Sequence, residues 1–355
     1  MKVLLLDLGG QWRGGQRQVL YLARHLSLSS DFEPVVAAPR GAPLLEKCVS
    51  HGLPVLALPG RRDFDPRNLW ALARAVRAQS VDLVHTHDAR SASLGALYRL
   101  VRPGGPLLVH SRRVSYPLGS GWSRAKYARA DLVVAVSGEV RQVLETSGLD
   151  PARLAVVHSG IDPARYGVSG RDGAPELVFG AIGAMSRQKG FGVFLDALAL
   201  LNGMDLPPWR AVAVGDGELR SGLEARAREL GLSGRVAFTG FRESWQALLD
   251  LDVLVVPSVD GEGSNAVVKE GWAARVPVVV SDLAANLELV EPGVSGLSFP
   301  RGDAGALARA LAQAARDADL RRALADKGFD RVALFTDAAM AEGVMACYRR
   351  VGGGR

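Results

Sequence analysis

Short apolar runs alternate along the chain with longer stretches in which apolar residues recur at helical spacing. In the first half, seven such runs rich in Val and Leu are predicted as strands: Val3–Leu6, Val35–Ala38, Val55–Leu58, Leu83–His85, Leu107–His110, Leu132–Val136 and Ala155–Val157. Helix-length segments separate most of them, for example Gln16–Leu26, Arg67–Gln79 and Gly138–Ser147. This alternation predicts a parallel sheet with helices on both faces.

The pattern starts again after a segment rich in Gly, Gly167–Pro175, which we interpret as a linker. Five further runs are predicted as strands: Val178–Ile182, Ala211–Val214, Val236–Phe238, Val253–Val256 and Val278–Val280. From Arg321 onward the chain is predicted to be helical, with a last helix over about Ala338–Arg350.

We therefore predict two Rossmann-like α/β domains that face each other across a cleft. The N-terminal domain would comprise residues 1–165 and the C-terminal domain residues 176–335, with the last helix, about 338–355, packing back on the first domain. Open α/β sheets bind ligands at the carboxyl ends of their strands, and helix N-termini there favour phosphate. The chemistry is expected in loops that follow strands.

Composition and charge narrow the protein class. No apolar run approaches the roughly 20 residues of a membrane span, and the first ten residues are too short and too soon acidic for a signal peptide. Cys48 and Cys347 form no disulfide framework, so the cytoplasm is the expected compartment. The net charge of +6 is concentrated in the first half, which also holds all six His. This excess indicates either an anionic partner or a solvated Arg-rich surface.

Two loops that follow strands carry candidate phosphate ligands. The segment GGQWRGG at residues 9–15 allows close backbone approach to a ligand, although it lacks the spacing of a dinucleotide fingerprint or a P-loop. Arg187 and Lys189 follow the strand Val178–Ile182 and could neutralise a diphosphate without a metal. The alternatives are a glycine turn without a ligand and ordinary surface charges.

The segment DGEGSNAVVKEG contains two carboxylates, Glu262 and Glu270. On one continuous helix they would lie about 12 Å apart, so we predict separate tasks for them. Glu262, in a turn-rich loop, would contact a sugar, and Glu270, on the following helix, could accept hydrogen bonds from two ribose hydroxyls. The alternative for Glu270 is a solvated helix residue.

Histidines and arginines end two strands of the first half. His85 and His87 alternate on one strand and share a face, but no third metal ligand accompanies them. His110, Arg112 and Arg113 could recognise an anion or a hydroxyl, or they could be a core histidine with surface arginines. The Asp250-Leu251-Asp252 triplet leads into a buried strand, and we interpret it as structural.

In order and spacing, these segments resemble the GT-B-fold retaining glycosyltransferases of family 4 over essentially the whole chain. EGSNAVVKEGWAARVPVVVSD, preceded by LDLDVLVVPS, is similar to the family's region with two Glu residues. GAMSRQKGF, AVGDGELR and VAFTGF are similar to its phosphate loop and following strands, and GGQWRGGQRQV, VHTHDA, AVSGEV and VVHSGID match in the first half.

The resemblance implies a role for each candidate residue. Glu270 would hold the ribose of a nucleotide-sugar donor, and Glu262 would face its sugar. Arg187 and Lys189 would neutralise the diphosphate, and His110, with His87 as second candidate, would lie near the donor sugar. Backbone N–H groups would bind the donor at two loops: Gly14, Gly15, Gly263, Ser264 and Asn265. The acceptor would meet His87, Arg112 and Arg113.

The chain departs from the family pattern at three places. Ala184 follows Gly183, where the family often has Arg, so that Arg187 must substitute. Arg275 and Val276 replace a small residue and Gly, and Trp272 replaces a small residue or Met.

The implied function is that of a retaining hexosyltransferase that uses a UDP-sugar. Its acceptor would be a hydroxyl of a glycan or lipid-linked molecule in cell-envelope or polysaccharide synthesis, with no metal, no cofactor and no nucleic acid. The protein would be cytoplasmic. Its basic segment Ser120–Ala130 would either contact the anionic inner face of the membrane or be an ordinary surface helix. The alternatives are a sugar-nucleotide epimerase, with Asp88 as an acid or base, and a non-catalytic nucleotide-sugar-binding protein.

Overall fold

The computed structural model of the chain describes residues 1–168, 171 and 174–353. Four positions of the predicted linker Gly167–Pro175, namely 169, 170, 172 and 173, lie outside the described residues. The chain divides into two compact units. Unit 1 comprises Met1–Gly160 and Asp337–Arg355, and unit 2 comprises Ile161–Thr336.

Unit 1 is built on a sheet of seven strands, all paired in parallel. The strands are β1 (Lys2–Leu6), β2 (Glu33–Pro39), β3 (Val55–Leu58), β4 (Leu83–Thr86), β5 (Leu107–Arg112), β6 (Leu132–Ala135) and β7 (Leu154–Val156). The helices are α1 (Gly14–Leu28), α2 (Pro43–Ser50), α3 (Pro66–Ala78), α4 (Ala89–Val101), α5 (Trp122–Ala128) and α6 (Gly138–Thr146). The strand order β3-β2-β1-β4-β5-β6-β7 reverses direction between β1 and β4.

Unit 2 repeats this design with a parallel sheet of six strands. The strands are β8 (Leu177–Ile182), β9 (Trp209–Val214), β10 (Val236–Gly240), β11 (Val253–Val256), β12 (Val278–Ser281) and β13 (Leu297–Phe299). The helices are α7 (Phe191–Leu201), α8 (Arg220–Glu229), α9 (Ser244–Leu248), α10 (Ala266–Ala273), α11 (Ala284–Leu287), α12 (Ala304–Arg316) and α13 (Ala318–Arg331). The strand order β10-β9-β8-β11-β12-β13 reverses between β8 and β11.

The last helix, α14 (Asp337–Gly352), belongs to unit 1, where it packs against α1. Its Tyr348 is fully buried, with the hydroxyl 2.6 Å from Nδ1 of His85 on β4. The other ring nitrogen of His85 lies 2.8 Å from Oγ of Ser111 on β5. Two hydrogen bonds through His85 thus connect helix α14 to the neighbouring strands β4 and β5.

The strands form where the sequence predicts them because both faces of each sheet are covered. Val3, Leu4, Leu5 and Leu6 of β1 are all fully buried, as expected for a central parallel strand. All twelve predicted strands are confirmed, and so is the prediction of two Rossmann-like domains. The prediction lacked β13, an edge strand of three residues between Gly296 and Pro300. Within the described ranges, no helix is long and apolar enough to cross a membrane.

Candidate active site

In unit 2, the point where the strand order reverses brings two loops together at the carboxyl edge of the sheet. Residues 183–190 follow β8, and residues 257–265 follow β11, its neighbour in the sheet. Ligands of open α/β sheets bind at such a reversal, because the two loops leave the sheet in opposite directions. Two of the predicted donor-binding segments lie here, and the third, Gly14–Gly15, lies in unit 1.

Backbone contacts fix the two loops against each other. The Val259 N–H donates to the Gln188 carbonyl at 2.9 Å, and the Gln188 amide donates to the Gly261 carbonyl at 2.8 Å. Gly190 has a left-handed backbone with φ +65°, and a Cβ there would lie 1.9 Å from the Pro257 oxygen. Only glycine meets both the dihedral angle and the close approach.

An ion pair joins the side chains of the same loops. Lys189 Nζ lies 2.7 Å from Glu262 Oε1, and the Ser258 hydroxyl donates to the same oxygen at 2.5 Å. The Glu262 side chain is only 6% exposed, whereas Lys189 is 25% exposed. The fold therefore brings together two predicted site residues and adds Ser258, whose signal in the sequence was the Pro-Ser pair that ends the strand.

Helix α10 starts at the end of the second loop without a side-chain cap. The N-cap Asn265 makes no capping hydrogen bond, and its amide donates instead to Asn286 Oδ1 at 3.2 Å. The first N–H groups of a helix have no partner within the helix and carry its positive dipole end, so they favour an anion. Glu270 is 5% exposed on this helix, which excludes the solvated alternative.

Arg187 differs from Lys189 in its surroundings. Its side chain is exposed and makes no hydrogen bond or ion pair with any residue that the structure describes. The loop that carries it is supported by the loop after β9, because the Met185 N–H donates to the Asp216 carbonyl at 2.9 Å. Arg187 thus presents an exposed cation on a loop whose backbone is hydrogen-bonded to the neighbouring loop, and its predicted phosphate contact stays a prediction.

The Asp250-Leu251-Asp252 triplet lies at the opposite, amino-terminal edge of the sheet. Asp252 accepts the Val178 N–H at 2.7 Å and pairs with Arg171 at 3.0 Å. Asp250 pairs with Arg242 at 2.8 Å. These contacts fit the structural interpretation of the triplet.

In unit 1, the strand order reverses between β1 and β4, and α1 begins at that edge. The N-cap Arg13 makes no side-chain capping bond, and the first turn of α1 holds no acidic residue. A Cβ added at Gly14 would meet nothing within 4 Å. The start of α1 therefore has no side-chain cap, and the anion contact predicted for Gly14 and Gly15 stays a prediction. A cavity of about 490 Å³ adjoins it, lined by Leu8, Gly9, Gly10, Gln11, Arg13, Gln16, Arg61, Asp88, Ala89 and Arg90.

Two carboxylates flank this edge. Asp7 is fully buried and accepts hydrogen bonds from Gln16 Nε2 at 3.0 Å and the Gly9 N–H at 2.8 Å. Burial raises the pKa of Asp7, and the nearby charge of Asp88 raises it further. Asp88 itself caps α4, and its carboxylate accepts the N–H groups of Leu8, Arg90 and Ser91 at 2.6 to 3.0 Å.

The two candidate histidines have different surroundings. His110 is fully buried, with Nδ1 2.7 Å from Thr86 Oγ1 and Nε2 3.2 Å from the Lys126 carbonyl. His87 follows β4 and is 3% exposed, but its buried Nε2 has no hydrogen-bond partner among the described residues. Burial lowers the pKa of His87 well below its usual value, with further lowering by His85 and Arg113, so the ring is neutral at neutral pH. An unpaired buried ring nitrogen is rare in folded proteins, which makes His87 a candidate for contact with a ligand.

The neighbouring arginines also differ. Arg112 donates to the carbonyls of Tyr116 at 2.7 Å and Val114 at 3.1 Å, so it holds the loop after β5. Arg113 Nη2 lies 3.4 Å from His87 Nδ1, and its buried Nε has no partner among the described residues. Burial lowers the pKa of Arg113 to about 10, which leaves it cationic at neutral pH. Arg113 and His87 thus form one cluster, and Arg112 does not join it.

Family models match most of the chain. The model described as Glycosyltransferase Family 4 matches residues 12–165, and the model described as Glycosyl transferases group 1 matches residues 176–317.

Curated relatives match over different lengths. The lipopolysaccharide core biosynthesis glycosyltransferase LpsE of Rhizobium meliloti (strain 1021) is 35% identical over 150 residues, which are 42% of this chain and 43% of that protein. The putative glycosyltransferase EpsD of Bacillus subtilis (strain 168) is 30% identical over 43% of this chain and 40% of its own. The chain thus spans less than half of the length of these two proteins. Phosphatidyl-myo-inositol mannosyltransferase of Mycobacterium leprae (strain TN) is 27% identical over 98% of this chain and 92% of that protein.

Among solved structures, the crystal structure of Anabaena Alr3699/HepE in complex with UDP is similar over 99% of this chain and 100% of that chain. The TM-score is 0.85 and the sequence identity is 22%. At this identity the likeness bears on the fold, and it confirms the predicted fold class.

Proposed function

Because the chain belongs to the GT-B-fold glycosyltransferases of family 4, we propose that it transfers a sugar from a nucleoside-diphosphate sugar to a hydroxyl group of an acceptor, with retention of the anomeric configuration. The observation that carries the proposal is the Lys189–Glu262 ion pair at the strand reversal of unit 2, beside the uncapped start of α10. A cation, a buried carboxylate and a helix N-terminus at one sheet edge suit a diphosphate joined to a sugar.

The donor roles follow from burial and charge. Lys189 and Arg187 stabilise the negative charge that develops on the leaving diphosphate, together with the N–H groups of Gly263, Ser264 and Asn265. Glu262, which Ser258 and Lys189 hold in one position, orients the donor sugar. The buried Glu270 accepts the two ribose hydroxyls, and the N–H groups of Gly14 and Gly15 add to the binding of anionic groups.

The residues that we propose to bind the acceptor lie in unit 1. The neutral ring of His87 supplies a hydrogen-bonding nitrogen to a sugar hydroxyl, and the permanent charge of Arg113 keeps that ring neutral and oriented. Since both ring nitrogens of His110 are engaged, His87 is better supported than His110 as the residue near the reacting sugar. Arg112 shapes the loop that the acceptor meets.

The reaction balances without a protein nucleophile. The bond between the anomeric carbon and the β-phosphate oxygen breaks, and the electron pair stays on the phosphate. The acceptor oxygen bonds to the same face of the anomeric carbon, and its proton passes to the departing phosphate oxygen. No metal or cofactor takes part in these steps, because cationic side chains and helix N-termini carry the counter-charge.

The comparisons suggest the donor and the acceptor class. Anabaena Alr3699/HepE has been crystallised with UDP and with UDP-glucose, which supports UDP as the donor nucleotide here. Relatives named for lipopolysaccharide core, phosphatidyl-myo-inositol and diphosphoundecaprenol substrates support a glycan or lipid-linked acceptor in envelope or polysaccharide synthesis. A lipid-linked acceptor would place the protein in the cytoplasm with peripheral contact at the anionic inner face of the membrane.

Two alternatives predict different products. An epimerase needs a free acid or base, but the carboxylate of Asp88 is occupied by three backbone N–H groups. A non-catalytic binding protein would bind the nucleotide sugar and leave it unchanged.

The test combines nucleotide binding with transfer. We expect one of UDP, GDP and ADP to bind to the wild type in a calorimetric titration, and Glu270→Ala to weaken that affinity by about 10- to 100-fold, because hydrogen bonds to charged groups contribute roughly 1.5–3 kcal/mol. The control is Glu229→Ala, an exposed glutamate of α8, which should bind like the wild type. Transfer to acceptor hydroxyls, followed by NMR of the anomeric proton, should show the donor's configuration in the product.

Three outcomes would count against the proposal. Failure of the folded protein to bind any of the three nucleotides removes the donor site. A changed sugar without an acceptor favours the epimerase, and an inverted product removes the retaining mechanism.

A further inference from the structure

Lys269 is a fully buried lysine on α10, next to Glu270 in sequence. Lysine is among the residues least often fully buried, since removing its charge from water is costly unless the charge is paired. At this position an apolar side chain would fill the same space, and exchange of a buried charge for an apolar group is often neutral or stabilising. The cost of the charge therefore indicates a task other than packing.

The contacts of Lys269 point to the start of its own helix. Its Nζ donates to Ser264 Oγ at 2.6 Å and lies 5.1 Å from the centre of the Phe335 ring. Ser264 stands between Gly263 and Asn265, at the uncapped end of α10. The lysine thus ties the interior of the helix to the loop that is proposed to bind the donor.

Two carboxylates act on the charge of Lys269. Glu270 on the same helix and Glu288, at the end of α11, both favour the ammonium form. From α13, Arg331 faces the ring of Trp272 at 5.9 Å. Burial outweighs the two carboxylates and lowers the pKa of Lys269 to about 7. Free protein at pH 8 therefore carries mostly the neutral amine.

We propose that Lys269 is a positioning residue of the donor site, which holds Ser264 and the start of α10 in place and takes up a proton when the diphosphate of the donor binds. The inference rests on the proposed function, because it needs a diphosphate at this helix end. A bound anion stabilises a nearby ammonium group, so binding raises the proton affinity of Lys269. By linkage, protonation of Lys269 strengthens donor binding to the same extent.

The sign of the pH dependence follows. Well below pH 7 the lysine is already charged, and binding takes up almost no proton. Above pH 7 each binding event must add a proton, so the affinity falls as the pH rises, by at most about tenfold per pH unit. An arginine at this position would keep its charge throughout, and a methionine would have none.

The experiment is a calorimetric titration with UDP at pH 6.5 and pH 8.5, in HEPES and in Tris. The two buffers release protons with different enthalpies, so the difference in heat gives the number of protons taken up. The terminal phosphate of UDP also titrates, with a pKa of roughly 6 for a phosphomonoester, and Lys269→Met supplies that background. The matched control is Lys327→Met, an exposed lysine on α13.

For the wild type and the control we expect proton uptake at pH 8.5 beyond that of Lys269→Met, with affinity roughly tenfold or more weaker than at pH 6.5. Lys269→Met should bind weakly at both pH values, and Lys269→Arg should recover affinity at pH 8.5 without the extra proton. The inference is overturned if Lys269→Met matches the wild type in affinity and proton uptake. If Lys269→Met does not fold, as judged by thermal unfolding, wild-type pH dependence in Lys269→Arg overturns it equally. If UDP, GDP and ADP all fail to bind to the wild type, the proposed function fails first and this inference with it.

Discussion

Among single residues, the clearest contrast is between His87, directly after β4, and His110, within the neighbouring strand β5. Each ring is nearly or fully buried, and burial lowers the pKa of both. His110 has a hydrogen-bond partner at each nitrogen, whereas Nε2 of His87 has none among the described residues. A satisfied buried histidine stabilises the fold, and an unsatisfied one costs free energy that a bound ligand can recover.

The same substitution is therefore expected to change different properties at the two positions: the transfer rate at His87 and the free energy of unfolding at His110. His87→Asn should lower the transfer rate by about 100-fold or more, the usual scale for loss of one positioned catalytic group, with UDP affinity unchanged. His110→Asn should lower the free energy of unfolding by about 1–3 kcal/mol through its lost hydrogen bonds. Steady-state rates, UDP titrations and urea unfolding of both variants distinguish the two. A rate loss confined to His110→Asn, in a protein of normal stability, would restore the original assignment of His110.

The residue identities of the donor loops could be predicted from the sequence, but their environments could not. Glu262, Glu270 and Lys189 stood out because of motif and order, which are local properties. The burial of Glu270 and the bonding of His110 depend on side chains brought together by the sheet, such as Thr86 on the next strand. The sequence does not show which of the two histidines has hydrogen-bond partners for its ring nitrogens, because those partners come from other elements of the fold.

Among the structural elements, the loop pair at the reversal between β8 and β11 is the part on which the proposed donor site depends. The pair works only if the loop after β8 passes close to the loop after β11, and Gly190 makes that approach possible. The glycine has φ +65° and would place a Cβ 1.9 Å from a backbone oxygen, so both conformation and space forbid a side chain.

We therefore expect Gly190→Ala to push the loops apart. The substitution should cost roughly 1–3 kcal/mol of stability from the strained backbone alone, and UDP binding should be lost before the fold is. Gly192→Ala, two residues on in α7, is the control, because a Cβ there meets nothing within 4 Å and a helical glycine replaced by alanine gains about 0.5–1 kcal/mol. Equal UDP affinity in the two alanine variants would refute the importance of the loop contact.

Two other features could not be predicted from a local sequence pattern. The strand β13 was not predicted because its three residues, at a sheet edge, are too few to show a periodic pattern of apolar positions. Trp272 departs from the family pattern, and its fully buried ring is accommodated at Gly328 of α13, where a Cβ would lie 2.1 Å from the ring. A compensation between positions 56 residues apart is a property of packing, which no single segment reveals.

Across the whole molecule, titratable groups are distributed unevenly between the two units. All six His lie in unit 1, and three of them, His85, His87 and His110, are buried in or directly after central strands. Burial lowers the pKa of His85 and His87 well below the usual 6.5 and that of His110 to about 4. Unit 2 instead contains the buried Lys269, with a pKa lowered to about 7. Asp7 acts in the opposite sense, because its raised pKa favours the folded state at low pH.

These shifts predict that stability is lost on the acid side of neutrality. Between pH 6.5 and the folded pKa, the unfolded chain binds more protons at each buried histidine than the native protein does, so the free energy of unfolding falls as the pH falls. For His110 alone the loss is about 2 kcal/mol by pH 5, from a pKa of about 4 in the folded protein against 6.5 in the unfolded chain. Urea unfolding at pH 8 and pH 5 measures it.

The variant His110→Asn isolates this contribution. Asparagine does not titrate, so the variant should be less stable than the wild type at pH 8 and should lose about 2 kcal/mol less than the wild type between pH 8 and pH 5. His51→Asn, an exposed histidine, should show the wild-type pH dependence. If both variants lose as much stability as the wild type, the acid sensitivity comes from groups other than His110. If only His110→Asn loses less stability than the wild type between pH 8 and pH 5, then His110, which burial holds neutral, limits the stability of unit 1 in acid.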